Sequence, residues 1–225
     1  MFPIGDDRVQ GGPPAIVTYG LIALNVLAFF VELGQPSEAA LQSFIQAWGV
    51  VPREYAAGID LPPLIPLPYW STVLTSMFLH GGWGHLGGNM LFLWIFGDNI
   101  EHRLGHLRFV VFYLGCGLAA SLAHIFFNSG SIVPAVGASG AISGVLGGYL
   151  LMFPRNRVYV LTWVGVVGVP ALFMLGLWIL TQFINGVGSI AVTDETGGVA
   201  NVTIADVEQS NGVIHVIDKV LLPKM

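Results

Sequence analysis

The sequence predicts an all-α, polytopic membrane protein, and its composition, its apolar segments and the placement of its arginines all favour that fold class. Of the 225 residues, 54% are hydrophobic and 9% are charged, whereas soluble domains carry about 25% charged residues. The mean hydropathy is +0.75. So few charged side chains cannot cover a surface that faces water, so we expect lipid to surround most of the chain.

A helix that spans a bilayer needs about 20 apolar residues. Five segments approach that length and are the predicted spans: 15–33, 86–100, 109–127, 137–153 and 170–184. Residues 34–69 mix polar and apolar positions with several prolines, which is typical of an interfacial loop with short helices. Residues 158–167 are expected to lie partly in the membrane interface, where Tyr159 and Trp163 suit an aromatic belt.

The arginines predict the orientation of these spans. Arg103 and Arg108 fall between the second and third spans, and Arg155 and Arg157 fall between the fourth and fifth. Because cytoplasmic loops are enriched in Lys and Arg, the N-terminus is expected in the cytoplasm and Ser139 on the outer side.

Two classes of function and one kind of cross-link are disfavoured by composition. The eight Lys and Arg residues are dispersed and the net charge is −5, which argues against nucleic acid as a partner. Cys116 is the single cysteine, so no intrachain disulfide can form. A channel or transporter would be supported by inverted repeats and broken helices, and the sequence has no such symmetry.

The fourth predicted span begins at a serine between small residues, Gly137-Ala138-Ser139-Gly140. A polar side chain within a bilayer is costly and usually functional, so Ser139 is a candidate nucleophile. The start of a helix also offers free backbone N–H groups that can hold an oxyanion. The alternative is that Ser139 is one more small packing residue. Gly140, Gly144 and Gly148 form a ridge that lets another helix approach closely.

His85 and Asn89 are four residues apart in the second predicted span and therefore share one helix face. Both side chains can donate hydrogen bonds to an oxyanion. The alternative is a structural network between helices. His80 precedes the span and is expected to support the site rather than take part in chemistry.

These segments resemble the bacterial rhomboid proteases. Residues 78–98, with His85 and Asn89 as the HxxxN motif, are similar to the second helix of that family, and residues 136–144 are similar to its nucleophile motif. The segments at 58–63 and 176–182 also resemble the family, and the similarity covers about residues 10–200.

The resemblance implies a six-helix bundle in which Ser139 is the nucleophile within the motif formed with Gly137 and Gly140. It implies that His85, Asn89 and backbone N–H groups near Ser139 form the oxyanion hole. It also implies a multi-pass protein of the bacterial inner membrane that cuts transmembrane segments of other proteins near the outer face. No metal or organic cofactor is implied.

The resemblance stops at about residue 200, where rhomboids continue into a sixth helix that carries the histidine base. Residues 201–223 are instead interrupted by charged residues, and Ser210-Asn211-Gly212 is a hairpin signal between two β-branched runs. This tail resembles the closing strands of a fasciclin domain. We therefore expect a rhomboid-like membrane domain at 1–200 and a fasciclin-like fragment at 201–225 that is not an independent domain.

The expected function follows from this break. A serine hydroxyl is a weak nucleophile without an adjacent base. His215, the one histidine after the break, matches no rhomboid motif, and His124 lies in the third span. The prediction is a rhomboid-type serine endopeptidase with severely reduced activity, and the alternative is a non-catalytic rhomboid-like binder of membrane segments. Adhesion through the tail would need a complete module.

Two structural expectations complete the prediction. Ser139 is expected at the floor of a water-accessible outer cavity surrounded by the second, fourth and fifth spans. Without a sixth helix, the glycine ridge of the fourth span is expected to be unpacked on one side.

Overall fold

The computed structural model describes residues 2–7, 14–187, 191–193, 199–209 and 212–217. The chain divides into two compact units, Met1–Met174 and Leu175–Met225. The described helices are α1 (Ile16–Leu33), α2 (Glu38–Trp48), α3 (Pro52–Ala57), α4 (Thr72–Thr75), α5 (Trp83–Leu104), α6 (His106–Phe127), α7 (Ser139–Met152) and α8 (Ala171–Val187). Short 3-10 turns at Tyr69–Ser71 and Ser76–Phe78 flank α4.

Two of these helices, α1 and α6, are long and apolar enough to cross a membrane. They coincide with the first and third predicted spans. The helices α7 and α8 begin within two residues of their predicted starts, but their apolar parts are shorter. Helix α5 has 22 residues and carries Asp98, Glu101 and Arg103 near its end. Crossing by these three helices therefore stays a prediction.

The glycine ridge of α7 packs against α6. A Cβ atom built on Gly140 would lie 2.5 Å from the Ala120 Cβ, and one on Gly144 would lie 2.5 Å from the Cys116 Cβ. One on Gly148 would lie 3.2 Å from the Phe112 ring. The predicted close approach is thus present, and the edge of α7 formed by these three glycines is filled by α6 rather than left open.

A buried carboxylate joins α1 to the α5–α6 turn. Glu101 accepts hydrogen bonds from the Val17 and Thr18 N–H groups at 2.9 and 2.7 Å and from the Thr18 hydroxyl. It also contacts His106 Nδ1 at 2.6 Å. The carboxylate satisfies N–H groups that the first turn of α1 leaves unpaired, so it stabilises the start of that helix.

The all-α prediction needs a correction in the first unit, which contains a three-stranded antiparallel sheet in the order β1-β2-β3. The strands are β1 (Phe2–Asp6), β2 (Arg157–Thr162) and β3 (Gly165–Pro170). The segment predicted at the interface is therefore a hairpin. Its β-branched residues favour strands, and β1 completes the sheet from far away in the sequence.

The same sheet brings the N-terminal strand to the ends of α5 and α7. Asp6 accepts hydrogen bonds from Asn99 Nδ2 at 2.6 Å and from the Tyr149 hydroxyl. Asp7 accepts one from the Arg157 N–H at 2.9 Å. The start of the chain and the α7–α8 connection consequently lie at one end of the helices, and Ser139 lies at the opposite end of α7.

Among its described residues, the second unit contains three strands besides part of α8. They are β4 (Ala191–Thr193), β5 (Val199–Gln209) and β6 (Gly212–Ile217), in the antiparallel order β4-β5-β6. The strands β5 and β6 flank the predicted hairpin signal. The resemblance implies a sixth helix after residue 200, whereas Val199–Gln209 is a β-strand. The side chain of His215 lies outside the described part of the structure.

Candidate functional site

The loop before α7 is held in place by backbone hydrogen bonds from two directions. Val50 and Ala135 exchange N–H···O bonds of 3.0 and 2.8 Å, and the Gly137 N–H donates to the Ser76 carbonyl at 2.8 Å. Gly49 permits this approach, because a Cβ there would lie 2.9 Å from the Pro134 Cβ. The fixed loop sets the position at which Ser139 enters the helix.

Ser139 is the first residue of α7, and its side chain is exposed. The first hydrogen bond that closes the helix runs from the Ile142 N–H to the Ala138 carbonyl at 2.9 Å. The N–H groups of the first turn therefore have no acceptor within the helix. These groups and the positive end of the helix dipole are suited to hold a negative charge beside Ser139.

The imidazole of His85 lies directly against Gly137. A Cβ built on Gly137 would be 2.8 Å from His85 Nε2 and 3.7 Å from Ser139 Oγ. Gly137 has φ +122°, which disfavours any other residue. Only a glycine therefore leaves room for the ring of His85 at this point, and the hydroxyl of Ser139 borders the same space.

A backbone contact sets the tautomer of His85. The Gly81 N–H donates to His85 Nδ1 at 3.3 Å. A ring nitrogen that accepts a hydrogen bond carries no proton, so in the neutral imidazole the proton is on Nε2. The nitrogen that faces Gly137 and Ser139 is accordingly a donor.

Two further polar residues lie near His85 on or just before α5. Asn89 follows His85 by one turn of α5 and is buried, and within the described part of the chain its Nδ2 has no hydrogen-bond partner. His80 is also buried and its ring centroid is 5.1 Å from that of His85. The His80 N–H donates to Glu32 Oε1 at 3.0 Å, which fixes the turn before α5. His80 therefore lies beside His85, and its supporting role stays a prediction.

A cavity of about 220 Å³ opens beside Ser139. Its walls come from the Ser76–Met77 turn, the loop at 135–137, the start of α7 and one face of α6. We expected the second, fourth and fifth spans around Ser139, whereas α6, the third span, forms this wall. The sequence could not identify α6 as the helix beside Ser139, because the glycine ridge predicts a close helix contact but does not show which helix makes it.

Three polar side chains that the sequence did not assign line the same cavity: Ser76, Ser121 and His124. The contacts of the glycine ridge indicate the level of His124. Gly140 lies beside Ala120 and Gly144 lies beside Cys116, so α6 and α7 run in opposite directions. His124 follows Ala120 by one turn of α6, and it therefore lies roughly 5 Å beyond Gly140, past the start of α7. Among the described residues, no group of three or more His, Cys, Asp or Glu side chains is placed to hold a metal ion.

The sequence-predicted residues are thus brought together in part. Ser139 and His85 both border the space beside Gly137, Asn89 lies one turn away on the face of His85, and Gly140 packs against α6. Comparison with known proteins assigns this arrangement to a family, since a profile described as the Rhomboid domain matches residues 68–203. The chain belongs to the rhomboid family.

The similarity to two individual rhomboids covers about two thirds of this chain but a smaller part of each of these relatives. The chain is 35% identical over 159 residues to the Rhomboid protease GluP of Bacillus subtilis, which is 69% of this chain and 28% of that protein. It is 28% identical over 149 residues to the mitochondrial Rhomboid protein 1 of Saccharomyces cerevisiae, which is 64% of this chain and 39% of that protein. The chain therefore spans less than half the length of these relatives.

Membership of the family carries a general location, because rhomboids are integral membrane proteins. The Bacillus subtilis relative is named a rhomboid protease. The bacterial and mitochondrial members show that the family is found in more than one kind of membrane.

Proposed function

We propose that this chain is a rhomboid-type intramembrane serine endopeptidase in which Ser139 is the nucleophile. The observation that carries the proposal is that Ser139 Oγ and His85 Nε2 both border the space beside Gly137, at 3.7 and 2.8 Å from the position that a Cβ of this residue would occupy. A hydroxyl beside a proton donor and a free helix N-terminus fits acyl transfer, in which the hydroxyl attacks a carbonyl and the carbonyl oxygen becomes negative.

The oxyanion is held by three kinds of donor in this proposal. They are His85 Nε2–H, the buried amide of Asn89 and the N–H groups of the first turn of α7. The amide of Asn89 has no described protein partner, so a substrate oxygen would satisfy it. Loss of one such donor costs about 10²–10³-fold in kcat in well-studied serine proteases.

His85 is a donor in this geometry and so does not serve as the base. Attack by Ser139 Oγ releases a proton that a neighbouring group must accept. The Gly81 N–H occupies Nδ1, and Nε2 already holds its proton. The family's base is a histidine of a sixth helix, whereas this chain is extended over Val199–Gln209. We therefore propose that turnover is reduced by several orders of magnitude relative to a complete catalytic set.

The proposed substrates are transmembrane segments of other proteins, cut near the outer membrane face. Ser139 is at the end of α7 opposite to the sheet and to Arg155 and Arg157. Positive residues favour the cytoplasm, which supports an N-terminus inside and the nucleophile outside, in a bacterial inner membrane. The bilayer is the second partner, and no cofactor is part of the proposal.

The test is cleavage of a transmembrane reporter by the reconstituted full chain. We expect slow cleavage that is lost in Ser139→Ala and lowered by His85→Ala. Cleavage that persists in Ser139→Ala would overturn the assignment of the nucleophile. Cleavage of wild type at the rate of an intact protease would overturn the proposed impairment.

A non-catalytic binder of membrane segments is the second candidate, and the extended conformation of Val199–Gln209 favours it. It predicts that a photoreactive transmembrane peptide cross-links to the wall at Ser121 and is never cut. The reporter and the cross-linking experiment together separate the two functions.

The organisation into a rhomboid-like domain at 1–200 and a short fragment at 201–225 also belongs to this proposal. The antiparallel pairing of β5 with β6 is consistent with the closing hairpin of a fasciclin-like module, though strands alone are common to many folds. Because a two-stranded hairpin is marginally stable by itself, we assign the fragment no adhesive function.

A further inference from the structure

The hairpin between α7 and α8 is polar and fixed at its foot. Asn156 Nδ2 donates to the Asp7 carbonyl at 3.1 Å, and the Ala171 N–H donates to the Asn156 carbonyl at 2.8 Å. On one face of β2, Val158 and Val160 are buried. These contacts tie the start of the hairpin to β1 and to the start of α8.

The other end of the hairpin is apolar and uncovered. Thr162 pairs with Gly165 across a two-residue turn, in which the side chain of Trp163 is 98% exposed. Leu161 and Val166 lie directly opposite each other on neighbouring strands, and both are at least half exposed, as is Val164. We call Leu161, Trp163, Val164 and Val166 the apolar tip.

The surroundings of the apolar tip favour a lipid surface as its partner. No charged residue occurs from 158 to 187, so the tip is continuous in sequence with the apolar helix α8. The arginines Arg155 and Arg157 are exposed at the foot of the hairpin. Tryptophan at a bilayer boundary with arginine beside it suits a phospholipid monolayer, whose anionic headgroups attract the arginines.

We propose that the β2–β3 hairpin is an anchor in the membrane interface, with the apolar tip in the upper acyl region and Arg155 and Arg157 at the phosphates. The strand β3 is at the edge of the sheet, so its outer N–H and C=O groups need water or headgroups as partners. That requirement limits the depth of the hairpin, and only the side chains of the tip enter the hydrocarbon, to about 5–10 Å.

The length of the hairpin agrees with this placement. Six residues of β2 at about 3.3 Å per residue span roughly 20 Å. The arginines at the foot and Trp163 at the turn are therefore far enough apart to occupy the headgroup and acyl layers respectively. The proposal does not depend on the protease function.

The experiment uses the full chain in a Cys116→Ala background with one new cysteine, at Trp163→Cys or, as the matched control, at Arg155→Cys. Each cysteine carries an NBD fluorophore, and the protein is reconstituted into phosphatidylcholine–phosphatidylglycerol vesicles. The label at 163 is expected to emit at shorter wavelength and to be quenched by brominated acyl chains but not by iodide. The label at 155 is expected to be quenched by iodide.

Two results would overturn the proposal. Quenching of the label at 163 by iodide, as at 155, would put the tip in water. Protection of that label from both iodide and brominated lipid would mean that protein, either a second copy or another partner, covers the tip. Tryptophan fluorescence gives a second readout that needs no label. The difference in fluorescence between wild type and Trp163→Phe reports on Trp163 in the same brominated vesicles.

Discussion

The contact between α6 and α7 predicts that, of two glycines about one turn apart, only one loses stability when it is replaced by alanine. A Cβ on Gly144 would lie 2.5 Å from the Cys116 Cβ and would also collide with Sγ. A Cβ on Gly147 would meet nothing within 4 Å. Gly147→Ala is therefore a matched control for Gly144→Ala, in the same helix and with the same chemical change.

The magnitude follows from two opposing contributions. Alanine in place of glycine in a helix gains up to about 1 kcal/mol from backbone entropy. Overpacking of a close contact costs about 1–3 kcal/mol, and rotation of Cys116 cannot relieve it because its Cβ is fixed to the backbone. We expect Gly144→Ala to lose about 1–2 kcal/mol in the free energy of unfolding, and Gly147→Ala to lose none.

The assay is thermal unfolding of the detergent-solubilised chain. About 2–4 °C per kcal/mol is typical for a chain of this size, so Gly144→Ala is expected to lower Tm by roughly 2–8 °C. Adding Cys116→Gly to Gly144→Ala should recover part of that loss, because Cys116→Gly removes both of the atoms that collide with the new methyl group. Equal Tm values for Gly144→Ala and Gly147→Ala, or no recovery in the double variant, would refute the packing of α6 on the ridge.

Other predictions concern the site and the N-terminal strand. Gly137→Ala is expected to abolish reporter cleavage, measured beside wild type at equal folded fraction, because the methyl group would displace the His85 ring. His124→Ala is expected to leave covalent labelling of Ser139 unchanged, because His124 lies about a turn beyond the level of Gly140; strong loss of labelling would instead make His124 the missing base. Burial raises the pKa of Asp6 to about 7, so the folded chain holds this proton to higher pH than the unfolded chain. This contribution to stability is complete below about pH 4 and is lost as the pH rises through 7. Asp6→Asn should remove roughly 1–2 kcal/mol of that pH dependence in denaturation profiles from pH 5 to 8, and identical profiles would contradict the assignment.

Local patterns in the sequence predicted the helices and the composition of the site. Apolar runs gave the starts of α1 and α7 within a few residues, and the spacing of His85 and Asn89 put both on one face of α5. The four-residue glycine spacing predicted a close helix neighbour. These features depend on residues within one or two turns of each other, so a single sequence contains the information.

Contacts between distant residues were not predictable. Phe2 pairs with Leu161, so the strands join residues from the two ends of the first unit. No local pattern of apolar residues predicts this pairing. The contact of the glycine ridge with α6 also joins residues that are distant in sequence, so it could not be predicted either. The proton position on His85 depends on the Gly81 N–H, whose direction is fixed only when the turn before α5 has formed.

Our main proposal is that Ser139 is a nucleophile with oxyanion donors beside it, and that it is slow because no described residue supplies the histidine base of a sixth helix. The most direct test is the rate at which a fluorophosphonate probe labels the solubilised full chain, with Ser139→Ala as the control. We expect slow labelling at Ser139 that is absent in the control and weaker in His85→Ala. Rapid labelling, as in an intact serine protease, would show that a base acts on Ser139. Labelling that survives in Ser139→Ala would contradict the assignment of the nucleophile itself.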